Sequence, residues 1–278
     1  MYKYPVVLSI AGSDSGGGAG IQADLKTMSA LGCFGTTAIT AITVQNTMGV
    51  TGIHAVPVEF VIGQIRSVMD DLKPSAIKIG MVYSAELVQG IVATLKHYPD
   101  VPVIFDPVMV TSSGDRLIQA QTVDAFKLSL FPLATLITPN LDEASVLRGK
   151  QISTVEEMKV AAQQLLQYGS EAVLIKGGHL ASEELSDVYL HQDGDLKVFT
   201  SRKIETRNTH GTGCTLSSAI ACYVALGNDL STAVEKSTLY VARAIEHGRD
   251  VKTGEGFGPV NHFFDPEQLM KGRLHVNH

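Results

Sequence analysis

Six short runs in this chain are apolar almost end to end: VVLSIA at 6–11, TTAITAITV at 36–44, AIKIG at 76–80, VPVIFD at 101–106, TLIT at 135–138 and AVLIK at 172–176. A strand with no polar face has no side to give to water, so strands of this kind belong in a parallel sheet covered on both faces. Segments of helical period near 19–31, 57–72, 84–98, 122–130, 140–148 and 154–168 lie between them and supply the cover. The pattern predicts an α/β domain with a mostly parallel central sheet between two helical layers.

After residue 180 the pattern changes. DVYLHQDGDLKVFTS reads as two strands around an Asp193-Gly194 turn, and two helices follow near 212–226 and 229–248. No Pro/Ser-rich linker, low-complexity tract or repeat interrupts the chain, and 278 residues with 45% hydrophobic content fill one large core. A single domain over 1–278 is expected, with GEGFGP at 254–259 read as a terminal loop.

The formal net charge of -6 is spread over interleaved acids and bases, which speaks against a nucleic-acid or anionic-membrane partner. Cys33, Cys214 and Cys222 are odd in number and lack C-x-x-C spacing, so they fit neither a disulfide scaffold nor a zinc site and suggest a reduced, cytoplasmic protein. The N-terminal run MYKYPVVLSIAG passes straight into SDSGGGAGIQADLK, which favours a buried first strand over a leader peptide. No run approaches the roughly 18 apolar residues of a membrane span.

Ligands of parallel sheets collect at the carboxyl ends of the strands, and several polar or glycine-rich segments fall there. AGSDSGGGAGIQADLK follows the first strand; its glycines allow backbone amides to approach a ligand or make a flexible turn, and Asp24 serves either a ligand or the helix dipole. It matches neither the P-loop nor the G-x-G-x-x-G pattern. In TPNLDEA, Asn140 and Glu143 form either a capping pair or a polar pair directed at hydrated Mg²⁺. Lys176 in LIKGGH meets an anion or snorkels to solvent. Asp106 in FDPVM caps a turn or contacts metal. In NTHGTGCTLSS, Gly211 and Gly213 allow a tight turn, and the amides of Gly213, Cys214 and Thr215 at a helix start make an anion hole. Cys214 there is a base, a nucleophile or a hydrogen-bond partner; a small buried apolar residue is the alternative, as for Cys222. A glycine-made anion hole, a lysine and separated acids are parts that phosphoryl transfer requires.

SIAGSDSGGGAGIQADLKT, AITAITVQNTMGV, KIGMV, DPVMVTSSGD, LITPNLDEA, LIKGGH, NTHGTGCTLSSAIA and GFGPVNHF occur in the order found in the ribokinase-like vitamin kinases. Over nearly its whole length the chain resembles their hydroxymethylpyrimidine/phosphomethylpyrimidine kinase branch. The resemblance implies a ribokinase-like three-layer sandwich, ATP with Mg²⁺, successive phosphorylation of 4-amino-5-hydroxymethyl-2-methylpyrimidine and of its monophosphate, and a homodimer. It also implies that Asp106, Asn140 and Glu143 organise the metal, and that Lys176, Asn140 and Thr212 meet the nucleotide. Gly211, Gly213 and Cys214 become the catalytic anion hole, with Cys214 where related sugar kinases carry an aspartate base. Gly12, Asp24, Gln45, Met81 and Val108 become the substrate pocket: Asp24 a polar contact, Met81 and Val108 apolar walls.

Gln45 discriminates most, because its amide donates and accepts at once and so matches the edge of an aminopyrimidine. The related pyridoxal kinases usually read Met-Asp where Gln45-Asn46 stands. Two readings compete with this one: a pyridoxal kinase of the same branch, and a non-catalytic sensor of the vitamin precursor. Ser15-Gly16 departs from the Pro-Ser or Ser-Ser of many members, which implies a looser substrate loop, and the tail MKGRLHVNH has no counterpart.

Overall fold

The computed structural model describes residues 2–109, 120–178 and 184–273. The elements are β1 (Tyr2–Lys3), β2 (Val6–Asp14), α1 (Gly20–Ala30), β3 (Phe34–Asn46), β4 (Gly49–Ala55), α2 (Val58–Asp71), β5 (Ala76–Ile79), α3 (Ala85–Leu95), β6 (Val103–Phe105), α4 (Ala120–Ala125), β7 (Leu136–Ile137), α5 (Leu141–Arg148), α6 (Val155–Leu166), β8 (Ala172–Ile175), β9 (Glu184–His191), β10 (Leu196–Arg202), α7 (Thr212–Ala225), α8 (Leu230–Glu246) and β11 (Gly272–Arg273). Every apolar run named above lies on a strand, and every predicted helix is present. The helix expected at 122–130 is α4 followed by a π-helical turn, Phe126–Leu130.

Among the described residues nine strands form one sheet in the order β10-β9-β8-β7-β6-β5-β2-β3-β4. The six strands from β8 to β3 in that order run parallel, β4 and β9 join them antiparallel, and β10 pairs antiparallel with β9 at the edge. Both faces are covered. On one side Val61, Ile65, Leu87, Ile91, Phe126, Met158 and Ala162 pack on Ile10, Ile79, Phe105 and Ile175. On the other, Met28 of α1, Leu216 and Ile220 of α7 and Val234 of α8 pack on Val7, Ile104 and Leu174. Alternate residues of the same strands thus enter two different cores, which is why these runs lack a polar face.

β4 is the main strand with no prediction. Gly49 and Gly52 and a largely exposed face leave its seven residues without the alternation or the apolar run by which strands are read. The hairpin is where expected: β9 and β10 pair antiparallel around the turn, Gly194 has φ +95, and the Asp195 N–H donates to Asp193 Oδ1 at 2.9 Å.

Because the chain leaves β2 for β3 on one side and returns to β5 on the other, a crevice opens at the carboxyl ends of these strands. The start of α7 faces that crevice and is braced from behind. His262, 4% exposed, lies with Nε2 3.1 Å from Thr215 Oγ1, and that hydroxyl donates to the Gly211 carbonyl at 2.8 Å. Burial lowers the His262 pKa to about 4, so the ring is neutral at physiological pH. A base with a depressed folded-state pKa holds its full stability above the unfolded value near 6.5 and loses it as pH falls toward 4. His262→Gln is therefore expected to lose about 1 kcal/mol or more at pH 7. The same substitution should flatten the decline in stability between pH 6.5 and 4, as read by chemical denaturation at each pH; an undiminished decline removes His262 as its source.

Candidate active site

A cleft of about 920 Å³ opens at the carboxyl ends of the strands. Gly12 and Asp14 enter it from β2, Gln45 from β3, Met81 from beyond β5, Asp106 and Val108 from beyond β6, and Asn140 and Glu143 from the start of α5. Lys176 follows β8, and Gly211, Thr212, Gly213 and Cys214 form the start of α7. All the predicted site residues but one therefore converge, although they span most of the chain.

Asp24 is the exception. It lies wholly buried behind the cleft, where its carboxylate is bonded to Lys78 Nζ at 2.9 and 2.8 Å and accepts from Ser9 at 2.5 Å and Ser218 at 2.7 Å. With both oxygens so engaged it makes no substrate contact, which corrects its placement in the pocket. The first glycine-rich segment also differs from expectation. Its amides turn inward: Gly16, Gly18 and Ala19 donate to the Asp14 carboxylate at 2.7, 3.0 and 2.8 Å, and His210 Nε2 lies 2.9 Å from the same group. Burial raises the Asp14 pKa, but the His210 and amide hydrogen bonds outweigh it and hold the carboxyl below its ordinary range. This loop is built around its own anion rather than a ligand's. Nor is it loosened at Ser15-Gly16, since the Ser15 hydroxyl donates to the Gln45 carbonyl at 2.7 Å and accepts the Gln45 N–H at 2.9 Å.

The tight turn before α7 forms as the glycines foretell, with one correction to the amides it leaves free. Gly211 has φ +85, and a Cβ there would lie 1.8 Å from the Gly18 carbonyl oxygen, so only glycine closes this approach of α7 to the first loop. The Thr215 N–H donates to the Gly211 carbonyl at 2.8 Å and is spent inside the helix. Gly213 and Cys214, in the first turn, present the amides that a helix start leaves without intrahelical acceptors. A Cβ at Gly213 would lie 3.3 Å from Lys176 Nζ and 3.4 Å from Asp106 Oδ2, so its absence keeps a cradle open beside a cation. An anionic phosphate fits that cradle.

Lys176 Nζ donates to Asp106 Oδ1 at 2.7 Å, and Thr138 Oγ1 donates to the same oxygen at 3.1 Å. Burial opposes the charge on Lys176, but Asp106 and Glu143 outweigh it and raise the ammonium pKa, so Lys176 is a cation. Asn140 and Glu143 are the capping box of α5: Glu143 N–H donates to Asn140 Oδ1 at 2.9 Å and Asn140 N–H to Glu143 Oε2 at 2.8 Å. Asn140 thereby spends its oxygen on the helix, and no cluster of three or more potential metal ligands occurs among the described residues. Asp106 and Glu143 fit an ion approached through its own waters, not a protein-made cage.

Burial pushes the Glu143 carboxyl up to about 7, with Lys176 opposing and Asp106 adding to the rise. Burial likewise pushes the Cys214 thiol up to about 11, opposed by Lys78 and by the Gly20 amide. The helix dipole does not prevail over burial, so Cys214 rests as a thiol at neutral pH. At Gln45, Oε1 lies 3.0 Å from Thr43 Oγ1, and Nε2 is 3.4 Å from His210 Nε2.

Sequence reading missed Asp14, Lys78, His210 and Phe257, all of which line the cleft. His210 sits inside NTHGTGC, and Lys78 is a lone charge within an otherwise apolar strand; that buried cation was the available signal. Phe257 belongs to GEGFGP, which is no bland loop. Its Phe257 N–H donates to the Thr47 carbonyl at 2.9 Å, and its Gly258 carbonyl accepts from His210 N–H at 3.0 Å, which ties the segment to the cleft rim.

A mostly parallel sheet with helices on both sides, a glycine turn opening a helix and a lysine-acid pair at the strand ends define a ribokinase-like fold with its cleft at the strand ends. The phosphomethylpyrimidine kinase family model matches residues 14–261, and the chain belongs to that family. It is 48% identical over 260 residues to the hydroxymethylpyrimidine/phosphomethylpyrimidine kinase of Rhizobium meliloti (strain 1021), covering 93% of this chain and 97% of that one. It is 46% identical over 263 residues to the thiamine biosynthesis bifunctional protein ThiED of Geobacter sulfurreducens, where the match covers 95% of this chain but 53% of the relative. The chain thus spans about half the length of its bifunctional relative. A crystal structure of an ADP complex of Bacillus subtilis pyridoxal kinase superposes with a TM-score of 0.86 at 33% identity, covering 94% of this chain and 98% of that one.

A carboxyl whose folded pKa is raised is favoured in its protonated form, so Glu143 costs stability as pH climbs from its unfolded value near 4.5 through 7. Glu143→Gln keeps an acceptor for the Asn140 N–H and removes that cost. Its stability relative to wild type should improve by about 1–3 kcal/mol between pH 5 and pH 8. Denaturant titrations at both pH values measure this, and a difference that does not change with pH contradicts the burial argument.

Proposed function

We propose that this chain is an ATP-dependent kinase that phosphorylates 4-amino-5-hydroxymethyl-2-methylpyrimidine and then its monophosphate, the second transfer giving the diphosphate used in thiamine biosynthesis. One observation carries the reading: Gln45, the Gly211–Cys214 turn and the Lys176–Asp106 pair line a single cleft. Family membership and the relatives' names support it.

In the first transfer the substrate's hydroxyl oxygen attacks the γ-phosphorus of ATP; in the second, a phosphate oxygen of the monophosphate attacks. In each, the new O–P bond forms as the bond to ADP breaks. Lys176 and the amides of Gly213 and Cys214 hold the charge that spreads over the moving phosphoryl group. Cys214 orients the hydroxyl and, as thiolate, accepts its proton. Gln45 reads the ring's paired donor and acceptor, with Gly12, Met81 and Val108 as walls. Thr212 joins Lys176 at the nucleotide phosphates. Mg²⁺ would be held through its waters by Asp106 and Glu143, and it supplies charge neutralisation on the phosphates.

The same reading makes the chain one catalytic domain, cytoplasmic and homodimeric. Free Cys33 and Cys222, buried side by side, suit a reducing compartment. Pairing of two copies through the outer face of β3 and β4 is supported by Ile42, Val44 and Ile53, which are 52%, 63% and 49% exposed there.

The test is ADP release with Mg²⁺-ATP and each of hydroxymethylpyrimidine, its monophosphate and pyridoxal. Both pyrimidines should turn over, with kcat/KM well above that for pyridoxal. Preference for pyridoxal would keep the kinase and overturn the substrate, whereas ligand-induced stabilisation without ADP favours a sensor. Gln45→Met should lower kcat/KM for the pyrimidine about 10- to 100-fold and leave that for pyridoxal nearly unchanged. Cys214→Ala should lower kcat by about 10²-fold with little change in KM; full turnover would remove its role.

A further inference from the structure

The ion pair between Lys78 and Asp24 has no solvent exposure on either side chain and a 2.8 Å separation. Charges so enclosed lose much of their hydration, and well-packed apolar residues commonly replace such pairs without loss of stability, so the pair calls for a purpose other than folding. An ammonium has three N–H groups, of which Lys78 directs two at the Asp24 oxygens. The side chain also lines the floor of the cleft, and space for it is kept by Gly80, where a Cβ would lie 2.8 Å from Nζ.

What stands above this ammonium is fixed by α7, which packs on β5. Ser218 donates to Asp24 at 2.7 Å, which sets the inner face of α7 over the pair. Cys214 is one helical turn before Ser218 on that face, at the cleft end of the helix. We propose that Lys78, anchored by Asp24, is a positioning residue for the transfer step: its ammonium lies under Cys214 and stabilises that residue's thiolate.

The inference rests on the kinase reading above. In the step it serves, the substrate's O–H bond breaks, the proton passes to Cys214 Sγ to give the thiol, and the hydroxyl oxygen's electron pair forms the new O–P bond as ADP leaves. The charged groups facing Cys214 are Lys78 on β5 and Asp24 on α1, with Asp106 beyond β6 and Lys176 beyond β8; the Gly20 amide faces it too. Among the charged groups Lys78 acts most strongly on the thiol, favouring the anion ahead of the opposing Asp24, with the Gly20 amide and Lys176 acting in the same sense as Lys78.

The experiment measures iodoacetamide alkylation of the Cys214 peptide by mass spectrometry across pH, in wild type, in the charge-neutral pair Lys78→Gln/Asp24→Asn and in Ser218→Ala. The last loosens the same network while leaving both charges. At pH 9 the double variant should react about 10-fold more slowly than wild type, and Ser218→Ala within about twofold. The acid limb of the kcat/KM profile with the pyrimidine should move up by about one pH unit in the double variant alone. Unchanged alkylation in a double variant with native circular dichroism, or an equal slowing in Ser218→Ala, overturns the proposal. If wild type releases no ADP with the pyrimidine, the kinase reading fails, whereas a slowed double variant still upholds the hold of Lys78 on Cys214.

Discussion

Burial of both faces of a parallel sheet is the constraint from which the site follows. Five neighbouring parallel strands, β2 and β5 to β8, give their alternate side chains to two separate cores, so apart from the closed network of Lys78, Asp24, Ser9 and Ser218 the faces are left to apolar packing. Polar groups are left the strand ends, where the backbone stops pairing and loops begin. Because every parallel strand points the same way, Asp14, Asp106, Asn140 and Lys176 arrive at one edge from β2, β6, β7 and β8 without any pair of them being near in sequence. The switch at β2 opens the crevice there, and α7 enters it with its N-terminus foremost.

That logic explains what the sequence disclosed. Apolar runs, helical periods and glycine-rich strand ends are local signals, and they located the layers, the hairpin and the turn that opens α7. Asp24 was misplaced because its partners Lys78, Ser9 and Ser218 come from β5, β2 and α7, and no local pattern distinguishes an acid in a closed pair from one in a pocket. The alternatives for the amides of Gly16, Gly18 and Ala19, a ligand or a flexible turn, both left out the true partner for the converse reason. Nothing local marks Asp14, which is the anion that the loop encloses. The terminal GEGFGP segment was unreadable, since its value lies in hydrogen bonds to Thr47 and His210, each far away in the chain.

Electrostatics divide the interior of the site into two carboxylate-ammonium pairs that differ chiefly in access. Asp24 and Lys78 have no exposed side-chain surface, while Lys176 retains 14% and Asp106 3%. A fully enclosed pair cannot exchange its partner for a ligand without exposing a bare charge to a low-dielectric interior. A pair open at the cleft can, because an arriving phosphate replaces the carboxylate's share of the ammonium with another anion. The position of each lysine thus dictates its use. Lys176 is able to follow a phosphoryl group, whereas Lys78 is fixed in place and acts only through its field.

Glu143 and Cys214 show what such a fixed field has to contend with. Both groups are pushed by burial toward their neutral forms, the carboxyl up to about 7 and the thiol up to about 11. A protonated thiol and a carboxyl that is only partly ionised limit the negative charge in the cleft, and so the like-charge repulsion against an incoming polyanion. The same neutrality withholds the thiolate that would accept a proton. A cation under Cys214 lowers that barrier without adding an anion to the cleft, since the compensating carboxylate is wholly buried between α1 and α7.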